Sequence, residues 1–134
     1  MILHPAVVIH GLDHVRTALR PGRPVILLSA QGAALFAGCL WWRALIEHSQ
    51  AEFPGAVTAD LLDCADAPGY AMAALRVGQR RLVLDPACPA FPAVAAAASR
   101  LGADVLPCRP PALDLGEAGA RRQLETWLQR EQPV

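Results

Sequence analysis

Apolar and polar positions along this chain fall into short runs that repeat in a fixed order. Three times the pattern Ala-x-Arg-x-Gly stands before an apolar run. The copies are Ala18-Leu19-Arg20-Pro21-Gly22 before Val25–Leu28, Ala74-Leu75-Arg76-Val77-Gly78 before Leu82–Leu84, and Ala98-Ser99-Arg100-Leu101-Gly102 before Val105-Leu106. Each copy reads as the last turn of a helix, a glycine that closes it, and a buried strand. The arginine suits the negative end of the helix dipole. Phe53-Pro54-Gly55 before Leu61-Leu62 has the same punctuation without the arginine. Helix, glycine and strand in regular alternation predict a parallel sheet covered by helices.

The pattern predicts five strands, at Ala6–His10, Pro24–Ser29, Thr58–Asp63, Arg81–Asp85 and Asp104–Pro107. Helices are expected at Leu12–Leu19, Ala33–Phe53, Ala67–Val77 and Pro92–Leu101, with a final amphipathic one at about 117–130 after the rigid Arg109-Pro110-Pro111 segment. Strands two and four are continuous apolar runs, which suits central positions buried on both faces. Strand three alternates and strand five is short, so both are expected at edges. With right-handed crossovers the result is a single α/β domain, a three-layer sandwich of Rossmann-like or flavodoxin-like type. The helix Ala33–Phe53 is apolar almost all round through Trp42, more than a surface helix needs. It either lies under another element or, with Trp41, Trp42 and the C-terminal helix, makes a dimer contact.

Composition narrows the chemistry mainly by exclusion. All twelve basic residues are arginine, and the 134 residues contain no lysine. Schiff-base chemistry and a lysine-bearing P-loop are thereby excluded. The formal net charge is zero and the arginines are dispersed, so neither nucleic acid nor an anionic membrane surface is expected as a partner. The four cysteines form no Cys-x-x-Cys pair, which points away from structural zinc and towards a cytoplasmic protein with reduced thiols. Pro24–Trp42 carries no charge over nearly a membrane span, but Ser29-Ala30-Gln31-Gly32 divides it into a strand and a helix.

Candidate chemistry gathers where the predicted strands end, because open parallel sheets bind ligands at their carboxyl edge. That edge collects His10, Ser29, Gln31, Gly32, Asp63 and Asp85 as candidate ligand contacts, and Cys108-Arg109 stands on it at the end of strand five. Ser29–Gly32 is a small-residue turn entering a helix, where backbone N–H groups can hold an anion, though a plain tight turn at a helix start explains the same residues better. Asp63 ends a strand, so its carboxylate is expected to face a ligand, an N–H or solvent; in an enzyme, His10 and Asp63 would be the proton-transfer groups. Asp66 before Pro68 reads as a helix cap, and Asp85 opens a stiff loop with prolines at 86, 89 and 92. His10 and His14 are four apart, but a strand end between them removes the helical spacing that a metal pair needs, so no metal is expected. Cys64 and Cys108 lack the Cys-x5-Arg spacing of a phosphatase loop and read as inert.

Two functions fit this sequence. One is binding of an anionic small molecule or nucleotide at the strand ends, with the cofactor unspecified. The alternative is a non-catalytic interaction or oligomerisation module, possible homodimer included, that uses the Ala33–Phe53 helix and the C-terminal helix.

Overall fold

A computed structural model describes residues 4–130. It shows a wholly parallel six-stranded sheet with six helices, an α/β sandwich of the Rossmann or flavodoxin kind. The strands are β1 Ala6–Val8, β2 Val25–Leu28, β3 Val57–Asp63, β4 Arg81–Val83, β5 Asp104–Leu106 and β6 Ala112–Asp114. The helices are α1 Leu12–Leu19, α2 Ala33–Phe36, α3 Cys39–Glu52, α4 Pro68–Arg76, α5 Phe91–Arg100 and α6 Ala120–Leu128. Strand order is β5-β4-β3-β2-β1-β6.

The repeated junction works as its residues dictate. Gly22, Gly55, Gly78 and Gly102 all take positive φ, between 70° and 91°, and a strand follows each. An alanine there would suffer the Cβ–carbonyl crowding that keeps other L-residues out of this region.

Four expectations need correction. The expected helix Ala33–Phe53 is broken: Gly38, at φ 91°, ends α2 and lets α3 start on a new axis. Strand three is interior, between β2 and β4, because Leu61 and Leu62 are fully buried and outweigh the polar positions before them. A sixth strand, β6, follows Pro110-Pro111, where only a rigid connection was expected. Asp66 does not cap α4; Ala67 holds the N-cap position without a side-chain bond, and Pro68 opens the helix.

The described residues group into two compact units. The first comprises 4–28, 45–60 and 110–130 of the described residues. Within it β1 pairs with β2 (Val8 opposite Leu28) and with β6 (Val8 opposite Asp114). Its core is Val7, Ile9, Val15, Leu19, Ile26, Leu27 and Ile46, with Leu124 and Leu128 of α6. The indole N–H of Trp127 donates to the Ala6 carbonyl at 2.8 Å, which ties α6 to β1. Arg16 grips Glu52 through two hydrogen bonds of 2.7 and 3.1 Å.

The second unit comprises 29–44 and 61–109. Here Leu62 lies opposite Leu82, and Val83 opposite Leu106. Trp42, Leu61, Leu62, Leu82 and Leu84 are fully buried, and Ala71, Ala74 and Ala98 supply close helix contacts. Among the described residues no helix is long and apolar enough to cross a membrane; the uncharged stretch from Pro24 is divided among β2, a turn, α2 and α3.

Candidate functional site

The carboxyl ends of β3, β4 and β5 in the second unit frame a cavity of about 430 Å³. Gln31, Asp63, Asp66, Asp85, Cys108 and Arg109 supply its polar lining. Three of the expected contacts, Gln31, Asp63 and Asp85, therefore meet in one place. Register explains the meeting: parallel strands in step end together, and the residues just beyond them share one rim.

Asp63 is the hub of that rim. It is 2% exposed. One carboxylate oxygen accepts the N–H of Gly32 at 3.0 Å and that of Ala65 at 2.8 Å. The other accepts Nη1 of Arg109 at 2.8 Å. Both oxygens are thus engaged within the protein, and Asp63 acts here as a frame that holds the two turns and the arginine. Ala65 takes a left-handed conformation, φ 51°, to present its N–H. Ser29 is buried as well: its hydroxyl accepts the Asp63 N–H at 2.9 Å and donates to the Ala30 carbonyl at 3.0 Å. The N–H of Gly32, which the sequence offers to an anion, is the one that Asp63 occupies, and the helix behind it is a single turn.

Free chemistry in the cavity belongs to the other lining groups. Arg109 uses one of its five donors on Asp63 and is 26% exposed in its side chain. Asp85 and Asp66 are exposed; Asp85 accepts the Ala87 N–H at 2.9 Å, which fixes the turn into the proline loop. That loop walls a neighbouring cavity of about 420 Å³, lined by Asp66, Pro68, Asp85, Ala87, Pro89 and Ala90 among others. Cys108 is an exposed thiol on the first cavity, whereas burial and the Asp63 charge push the Cys64 thiol up to about 12. Cys64 is therefore a protonated, inert core residue. Arg109 stands at the end of strand five on the expected edge but was not among the candidate ligand contacts, because nothing in the sequence tied it to Asp63.

His10 belongs to the first unit, at the carboxyl ends of β1 and β6. Its Nε2 lies 2.7 Å from Oδ1 of Asp114. Its backbone N–H donates to Nδ1 of His14 at 3.0 Å, and the two rings meet edge to face at 5.4 Å. Burial lowers the His14 pKa, helped by the neighbouring His10 and Arg121 and opposed by Asp114 and Asp13. Partial burial pulls the Asp114 carboxyl up, yet the bonds from His10 and the Gly116 N–H hold it below its ordinary value. Among the described residues no group of three or more His, Cys, Asp or Glu side chains is arranged to hold a metal ion.

No protein-family model matches the chain, and no curated protein sequence matches it significantly.

Proposed function

We propose that this is a cytoplasmic protein that binds a small organic anion, of the sugar-phosphate or nucleotide kind, at the carboxyl ends of β3, β4 and β5. The observation that carries this reading is the cavity that gathers Gln31, Asp85 and Arg109 around a pre-bonded Asp63. Arg109 offers its remaining donors to a phosphate or carboxylate. Asp66 and Asp85 repel a second anionic group and accept from hydroxyl or amino groups instead, so the ligand carries its charge at one end. The volume lies within the ordinary range for small-molecule sites.

The test is a thermal-shift panel of sugar phosphates, nucleotides and organic acids, followed by titration of any hit. A ligand at roughly 100 times its dissociation constant adds about 2.7 kcal/mol of stability. Binding should weaken at least tenfold in Arg109→Gln and in Asp85→Ala, the latter at an exposed position away from the Asp63 bonds. A panel that leaves the melting temperature unmoved, or a hit indifferent to both variants, overturns the reading.

A second reading, an interaction module, is favoured by the exposed apolar side chains Leu35, Phe36, Leu40 and Trp41; Phe36 is 72% and Leu40 70% exposed. Such a surface suits self-association. Sedimentation should then show a dimer that Phe36→Glu with Leu40→Glu converts to monomer. A monomeric wild type at high concentration excludes it.

A further inference from the structure

The sheet order reverses beside β1: β2 to β5 step away on one side, and β6 lies on the other. In open parallel sheets the crevice at such a reversal, at the carboxyl ends of the two strands, is where ligands bind. His10 and Asp114 occupy that position. Their bond orients the imidazole: a carboxylate only accepts, so Nε2 carries a proton and, on the neutral ring, Nδ1 carries the lone pair. Nδ1 of His10 has no hydrogen-bond partner among the described residues, and the side chain is 38% exposed. His14 accepts the His10 N–H at its own Nδ1, which leaves Nε2–H as a donor on the neutral ring.

Gly116 is part of the construction. A Cβ on it would lie 3.0 Å from Nε2 of His10 and 3.1 Å from Oδ1 of Asp114. A side chain here would push the pair apart by a few tenths of an ångström, while the Gly116 N–H holds the carboxylate at 2.8 Å. A second histidine–carboxylate pair among the described residues of this unit, His48 with Glu52 at 3.0 Å, differs in kind. Arg16 already grips Glu52 through two bonds, so that carboxylate answers to an arginine. Among the described residues Asp114 accepts hydrogen bonds from His10 and from its own loop.

The geometry points to a general-base centre for acyl transfer to water, acting on small activated esters, with His10 as the base and Asp114 as its positioning residue. The group contains no hydroxyl or thiol nucleophile, so water attacks. Nδ1 of His10 takes a proton from water as the water oxygen bonds to the acyl carbon. The bond from carbon to the leaving oxygen then breaks, and the same proton passes from Nδ1 to that oxygen. The products are a carboxylic acid and an alcohol, and nothing is oxidised or reduced.

The probe is p-nitrophenyl acetate with the full chain near neutral pH. Steady nitrophenol release beyond the one equivalent that the exposed Cys108 thiol can take up is expected above the buffer rate, falling to that rate in His10→Ala and by roughly tenfold or more in the near-isosteric Asp114→Asn. His48→Ala should leave it unchanged. Imidazole nitrogen NMR of Asp114→Asn should show His10 no longer held in the Nε2–H form, with thermal melting close to wild type. Release no faster than buffer, a His10→Ala protein as fast as wild type, or an undiminished Asp114→Asn each overturn the proposal. If His10→Ala does not fold, Asp114→Asn with its NMR readout decides alone.

Discussion

Asp63→Ala is expected to destabilise the fold by about 3 kcal/mol, measured as a lower urea midpoint at an unchanged slope. Three groups lose their acceptor together: the Gly32 N–H, the Ala65 N–H and the Arg109 guanidinium. Breaking a buried ion pair by removing one partner costs about 3–5 kcal/mol when the survivor stays dry. Arg109 is not fully dry, and water entering from the cavity rehydrates it, which places the effect at the low end. Asp63→Asn should fall between, since its amide oxygen still accepts both N–H groups while its NH₂ faces the arginine. A loss below about 1 kcal/mol for the alanine variant would show that the two turns hold themselves without the carboxylate.

Trp42→Ala should cost about 4 kcal/mol, the other large effect in the molecule. Trp42 is wholly buried at the start of α3, and its neighbour Trp41 is partly exposed. Truncation removes the transfer free energy of a large ring and leaves a void that a short, proline-punctuated chain has little means of closing. Trp41→Ala leaves its site open to water and should cost much less. Denaturation of the two single variants reads the contrast directly, and equal losses would contradict the burial described.

The parts of this architecture that were legible beforehand are those that local chemistry determines. Helix α1 runs over the residues its periodicity predicts, and the junction glycines take the backbone conformation for which only glycine is suited. What escaped depends on distant partners. The three residues Ala112–Asp114 form a strand only because β1 offers them an unpaired edge, a fact absent from their own composition. Strand β3 looked like an edge because its first half is polar, yet its neighbours on both sides make it interior. At the site the strand-end rule assembled Gln31, Asp63 and Asp85 and put Arg109 on the same edge, but it could not foresee the bond from Arg109, 46 positions away, that turns Asp63 from a candidate ligand contact into a brace. Likewise Asp114 is 104 positions from His10, and no local spacing links them.

The distribution of thiols gives the molecule a built-in attachment point. Cys64 and Cys88 are buried and Cys39 is partly covered, whereas Cys108 is exposed on the cavity that holds Arg109. A thiol-selective fluorophore therefore reacts first at Cys108, with no engineered residue, and its emission reports on whatever enters beside it. The same thiol allows disulfide-tethered fragments to be screened against the cavity, so that the native sequence selects its own ligands by proximity.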